Sequence, residues 1–324
     1  MPLFTLDDVA RIEPLVRSVT PPTPAYAWPL LKARTGVEVF VKHENHTPTG
    51  AFKIRGGVVY LDALKRAEPA LKGVATATRG NHGQSIARAA QGLGLEALIV
   101  VPEDNSREKN AAMRGFGAEL IVSGRDFDES RATAKALAEE RGLHLAPSFH
   151  ADIVKGVATY ARELFAAVAD LDVVYVPIGM GSGLCGLITM RDLLGLKTEI
   201  VGVVAEAAPA FALSFEAGRP VGTETARTFA DGMACRDPSP EAVALICGGA
   251  ARVLRLSEDE IAEAIRIFYT DTHNLAEGAG AAPLAGLLRE TERYAGKRAA
   301  VILCGANIDS DMFAEILAGR TPVV

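Results

Sequence analysis

Three short stretches of this chain set a reactive side chain among glycines. In the first, His43 to Gly57, Lys53 lies between Phe52 and Ile54, directly after Gly50 and Ala51. A tight turn feeding a lysine with apolar neighbours lets desolvation lower the amine's pKa and make it nucleophilic, as a Schiff-base lysine requires. The other reading of a single lysine so placed is a surface side chain whose stem lies over Phe52. The second stretch is Thr78-Arg79-Gly80-Asn81-His82-Gly83-Gln84, between the β-rich run Gly73 to Ala77 and the helical run Ser85 to Ala90. Free N–H groups at a helix start, with two glycines allowing close approach, bind a carboxylate or phosphate. Taken alone, it is also an ordinary strand-to-helix turn capped by Asn81. The third, Gly179-Met180-Gly181-Ser182-Gly183-Leu184-Cys185-Gly186, suits a phosphate. Gly181-x-Gly183-x-x-Gly186 with Glu206 at the end of the next strand also satisfies a dinucleotide fingerprint, which in isolation reads as an NAD-dependent oxidoreductase.

These loops need strands and helices to hold them. Apolar runs at Val37 to Val41, Gly73 to Ala77, Ala97 to Pro102, Glu119 to Val122, Val173 to Ile178, Glu199 to Val204 and Ala299 to Leu303 alternate with helical segments, which predicts a mostly parallel sheet. Ser257 to Glu260 is a capping box, followed by Ile261, Ile265 and Phe268 on one helical face, and Thr5 to Asp8 offers a similar start. The stretch Leu71 to Pro147 is self-contained in βαβ units and marks an inserted smaller lobe.

At 324 residues the chain has room for about two domains. Its formal net charge of −6 and the absence of a long basic run argue against a nucleic-acid binder. The start, with Asp7, Asp8 and Glu13, has no apolar block of a targeting peptide. Val173 to Met190 carries no charge but contains five glycines and a proline, so it reads as strand, loop and helix and not as a membrane span. Cys185, Cys235, Cys247 and Cys304 are scattered without metal-site spacing, which points to a reduced, cytoplasmic protein.

Together the three loops, with Cys304-Gly305-Ala306-Asn307 near the end, resemble the fold type II pyridoxal phosphate enzymes, specifically the threonine/serine dehydratase and serine racemase branch. The resemblance covers essentially the whole chain in the family's order. Phe-Lys-Ile-Arg and Gly-Asn-His-Gly-Gln set it apart from cysteine synthases, which carry Lys-Asp-Arg and Gly-Asn-Thr-Gly. It implies an α/β architecture of two open, twisted, mostly parallel sheets flanked by helices, with the active site between two domains. Residues 1–58 and 148–324 would form the large cofactor-binding domain and 59–147 the inserted small one, with no room for a regulatory domain. Pyridoxal 5'-phosphate would be carried by Lys53, with Phe52 beside the ring, Asn81 on its 3' oxygen, Gly179, Met180, Gly181, Ser182 and Gly183 around the phosphate, Cys304 at the pyridine nitrogen and Glu277 nearby. Backbone N–H groups from Thr78, Arg79, Gly80, Asn81 and His82 would hold the substrate carboxylate, with Ser148 and Phe149 toward the β-substituent. The implied reaction is β-elimination from an L-β-hydroxy-α-amino acid, giving a 2-oxo acid and ammonia, by a homodimer that binds neither nucleic acid nor membrane. β-Replacement on the same cofactor and a non-catalytic metabolite binder are the rival readings.

Two departures narrow this. Arg79 stands where serine racemases carry a serine base, and an arginine cannot accept a proton, so racemisation is not expected. Arg79 can instead meet a substrate carboxylate or an aromatic β-substituent, so phenylserine and β-hydroxyaspartate join threonine and serine as substrates, with threonine or another bulky β-hydroxy amino acid first. The family's cation site retains Glu206 and Ala210 but has Ala212 in place of an aspartate, which leaves at most a weak site.

Overall fold

The computed structural model describes residues 3–323, except the side chain at position 128. The outer limits of the expected large domain, at positions 1 and 324, lie outside them. Ten strands form among the described residues: β1 (Ala25–Ala27), β2 (Glu38–His43), β3 (Gly73–Ala77), β4 (Glu96–Val101), β5 (Glu119–Val122), β6 (His144–Leu145), β7 (Val173–Pro177), β8 (Glu199–Ala205), β9 (Arg252–Leu256) and β10 (Arg298–Leu303). One sheet runs β1-β2-β10-β7-β8-β9, parallel throughout except for β1. The other runs β5-β4-β3-β6, all parallel. All seven apolar runs are strands. β1, β6 and β9 escape the apolar pattern because the first two are only three and two residues long and the third carries Arg252 and Arg255 among its aliphatic residues at a sheet edge.

Helices cover both faces of the central strands, so every residue of β3 and β7 is buried. In the smaller sheet alternate side chains part company. Val74, Ala97, Ile99 and Val101 join the main core, while Ala75, Ala77, Leu98 and Val100 pack on Ala134, Ala138 and Leu143. The smaller sheet draws its strands only from residues 73–145, and the larger draws from both sides of that stretch. The helix Lys53–Ala67 runs unbroken across position 58.

That helix is fixed firmly. It lies against the helix Ala151–Ala167 at Gly156, where a Cβ would come within 2.3 Å of the Arg55 carbonyl oxygen, so only glycine permits the approach. Arg55 is fully buried and donates to Glu44 (Nε to Oε2, 2.8 Å; Nη2 to Oε1, 3.0 Å) and to Glu163 (Nη1 to Oε1, 2.7 Å), while Lys42 Nζ donates to Glu163 at 2.6 Å. Two cations and two carboxylates thus tie β2, the turn Glu44–His46 and both helices beneath the lysine turn.

Both capping boxes form, at Thr5/Asp8 and Ser257/Glu260, and Ile261, Ile265 and Phe268 are buried. Val173 to Met190 is β7, a glycine loop and most of the helix Ser182–Leu193. No helix among the described residues is long and apolar enough to cross a membrane.

Candidate active site

A pocket opens at the carboxyl ends of three parallel strands: Ala77 ends β3, Pro177 ends β7 and Cys304 follows β10. Ligands of open α/β sheets bind at such strand ends. Its lining brings together Phe52, Lys53, Thr78, Arg79, Gly80, Asn81, His82, Ser148, Gly179, Met180, Gly181, Ser182, Gly183, Glu277 and Cys304. Phe149 packs against the core beside it. Gly186 sits one turn into the helix Ser182–Leu193 against Ala158, the Glu206 side chain is exposed just past β8, and Ala210 starts a helix of its own, so none of these three lines the pocket.

Lys53 is the first residue of its helix. The turn before it is stitched to the end of β10: Phe52 N–H donates to the Cys304 carbonyl and Ala306 N–H to the Gly50 carbonyl, each at 2.9 Å. Lys53 Nζ lies 3.4 Å from Ser182 Oγ and 4.9 Å from the Phe52 ring centroid. Burial lowers its pKa to about 8, against an opposing pull from Cys304 and Glu277. Cys304 is itself pushed well above the usual thiol range by burial and by Glu277, so it is a neutral thiol.

The second loop departs from a plain capped turn. Gly80 is the N-cap of the helix Asn81–Gly92, and Asn81 turns its side chain away to donate from Nδ2 to Glu277 Oε1 at 2.6 Å. Thr78 N–H is spent on the Val100 carbonyl, and Thr78 Oγ1 accepts from Gly80 N–H (2.9 Å) and Gly83 N–H (3.2 Å). The expectation that Thr78 and Gly80 offer backbone N–H groups to a carboxylate is therefore corrected. Arg79, Asn81 and His82 stand at the start of that helix and line the pocket. Burial and the nearby Lys53 lower His82 to about 3, so its imidazole is neutral. Arg79 Nη1 donates to Asp104 Oδ1 at 2.7 Å.

In the third loop Gly181 has φ +92° and caps the helix Ser182–Leu193 without a side-chain hydrogen bond. The first N–H groups of that helix have no intrahelical partner, so they face the pocket as an anion site. Lys109 and Asp231, which the sequence reading missed, also line the pocket. Lys109 Nζ donates to both Asp231 oxygens (2.7 and 2.6 Å) and stands 3.1 Å from Glu277 Oε2. Burial pushes Glu277 upward from its ordinary value, and Lys109 and Asn81 oppose that shift. A signal existed in the sequence, since Lys109 lies one helical turn before Met113, and both face inward.

A depressed lysine amine, an uncapped helix start for a phosphate, an aromatic ring beside the lysine and a neutral thiol opposite form the donor set of pyridoxal phosphate. The family model described as pyridoxal-phosphate dependent enzyme matches residues 16–305. The chain belongs to this family. Its glycine loop is accordingly not a dinucleotide site, and the cofactor is pyridoxal phosphate. The chain is 32% identical to an L-threo-3-hydroxyaspartate ammonia-lyase of Pseudomonas sp. over 98% of its own length and all of that protein's. A biosynthetic L-threonine dehydratase of Pasteurella multocida is 32% identical over 91% of this chain, which spans only 58% of that relative. Among solved structures, the T.th. threonine deaminase superposes with a TM-score of 0.88 at 33% identity, covering 94% of this chain and 99% of its own. The processed form of threonine deaminase isoform 2 from Solanum lycopersicum gives 0.88 at 29% identity, covering 99% and 96%. The fold is that of the fold type II pyridoxal phosphate enzymes.

Proposed function

We propose that this protein is an ammonia-lyase of L-β-hydroxy-α-amino acids, converting them to a 2-oxo acid and ammonia. The observation that carries the reading is the convergence of Lys53, Asn81, the Gly179–Gly183 loop and Cys304, from distant parts of the chain, in one pocket. When bound, pyridoxal phosphate supplies an electron sink that acidifies the substrate's Cα–H and allows a β-hydroxyl to leave. Lys53 holds the cofactor and, once freed by the substrate amine, takes the Cα proton on Nζ; an amine with a pKa of about 8 suits that task near neutral pH. Phe52 would pack beside the ring, Asn81 would donate to its oxygen, and Gly179, Met180, Gly181, Ser182 and Gly183 would receive the phosphate. Cys304 is a thiol that does not ionise in its buried position, so it leaves the pyridine nitrogen without the strong acid partner that would favour a long-lived carbanion. N–H groups of Arg79, Asn81 and His82 bind the substrate carboxylate, and Ser148 flanks the β-substituent.

Threonine is the first-ranked substrate. Hydroxyaspartate is a second reading with its own support: Arg79 uses one nitrogen on Asp104, and relatives of near-complete coverage carry hydroxyaspartate ammonia-lyase names. We further propose that the two sheets act as two lobes divided near residues 58 and 147, that the enzyme is a homodimer and that it works in the cytoplasm, where its four free cysteines stay reduced. Release of 2-oxo acid is measured with L-threonine, L-serine, phenylserine and both hydroxyaspartate diastereomers. Turnover of at least one, abolished in Lys53→Ala, is expected; full activity in Lys53→Ala refutes the assignment.

A further inference from the structure

The two oxygens of Glu277 face two different donors. Oε1 accepts from Asn81 Nδ2 at 2.6 Å, and Oε2 stands 3.1 Å from Lys109 Nζ, which both oxygens of Asp231 hold in turn. On the far side of Asn81, Oδ1 accepts from Asn307 Nδ2 at 2.8 Å, and that same nitrogen donates to the Thr49 carbonyl at 2.9 Å. The chain of contacts therefore ends at one side in a backbone carbonyl, which only accepts, and at the other in a carboxylate locked to an ammonium, which also only accepts. Between those ends the amide of Asn81 has one orientation: nitrogen toward Glu277, oxygen toward Asn307. One N–H of Nδ2 is used on Glu277, and the second has no partner among the described residues.

We propose that Lys109 and Asp231 are positioning residues: by keeping Glu277 an acceptor on both oxygens they set the orientation of Asn81, so that what Asn81 offers the cofactor's ring oxygen is an N–H and never a carbonyl. This rests on the reading of Asn81 as the ring-oxygen contact. Neither Lys109 nor Asp231 needs to touch a reacting atom. The ring oxygen is anionic in the yellow form of the resting holoenzyme and protonated in the form that absorbs in the near ultraviolet, so the ratio of the two bands reports the donor directly.

Glu277→Gln separates this idea from simple electrostatics because the two act in opposite directions. An amide has one oxygen, and the Lys109 ammonium takes it. The remaining NH2 then stands against Asn81 Nδ2 while Asn307 still holds Asn81 Oδ1, so Asn81 is either displaced or turned over against Asn307; in both cases its N–H is no longer held toward the ring oxygen, which lowers the visible-to-ultraviolet ratio. Loss of a negative charge alone favours the anionic ring oxygen and raises the ratio. The expected result in substrate-free Glu277→Gln holoenzyme is a fall of about tenfold, the size of one hydrogen bond to a charged group. Asn81→Ala shows a similar fall, and adding Glu277→Gln to it changes nothing further. Lys109→Met falls likewise, and Lys109→Arg keeps the ratio of the unaltered enzyme. An unchanged or increased ratio in Glu277→Gln, or a full further fall in the Asn81→Ala background, overturns the proposal. A holoenzyme whose yellow band responds to none of these, Asn81→Ala included, overturns the reading of Asn81 itself, so the two failures are distinguishable.

Discussion

With the cofactor stripped away, Lys53 should react as a nucleophile at a pH where an ordinary lysine is silent. Burial lowers its pKa from 10.5 to about 8. At pH 7 that leaves roughly one amine in ten neutral, against roughly three in ten thousand for an unperturbed lysine, a ratio of about 300. The sign follows from the cause: desolvation penalises the ammonium, so reactivity is present above about pH 8 and is lost tenfold per pH unit below it. Trace acylation of the stripped protein across pH 6 to 11, read peptide by peptide in the mass spectrometer, measures it, because Lys53 lines the pocket and a small reagent reaches it. The Lys53 peptide should level off near pH 8 while exposed lysines continue to climb. A Lys53 curve that rises in parallel with the exposed ones to pH 10 refutes the reasoning, since the amine would then be charged at working pH and unable to take a proton.

Three further outcomes follow from the packing around that residue. Arg55→Met should destabilise the protein by about 3–5 kcal/mol in urea unfolding, because Glu44 and Glu163 lose their shared partner in a buried site. Gly156→Ala should cost about 1–3 kcal/mol and also lower kcat, since a Cβ placed 2.3 Å from the Arg55 carbonyl must push the Lys53 helix aside; unchanged stability would mean that the two helices yield freely. Chiral analysis after incubation with L-serine should find no D-serine beside the 2-oxo acid, because the guanidinium of Arg79 cannot act as the second base.

Seven of the strands and the three loops were legible because each is written locally: an apolar run of four to six residues, buried on both faces in the central strands, then glycines where the backbone must come close. Asn81 shows where local reading stops. Its position before a helical run suits a cap, yet its side chain turns to Glu277, almost two hundred residues away, and Gly80 takes the cap position. Lys109 is the opposite case. A lysine on a capped, charged helix reads as a solvent-facing residue unless Met113, one turn on, is taken to mark the inner face, and the return of the chain with Asp231 and Glu277 gives its charge partners there. Thr78 was legible as part of a loop, but its hydroxyl's capture of two backbone N–H groups depends on the loop's curvature and not on its composition.

One physical cause accounts for most of the pocket's chemistry. Removal from water shifts Lys53, His82 and Cys304 toward their uncharged forms, which leaves a neutral imidazole, a neutral thiol and an amine that loses its proton near pH 8 around the same cavity. The same low polarity strengthens the one cluster that stays charged, Lys109 between Asp231 and Glu277, because opposite charges are held within 3.1 Å of one another. Formally that cluster carries one negative charge, and Glu277 passes its influence to Asn81 through a hydrogen bond, not by contact with the reacting atoms. A base that must be neutral to work and an amide that must point one way to bind thus come from a single arrangement: reactive groups desolvated singly, and charged groups desolvated in contact with opposite charges.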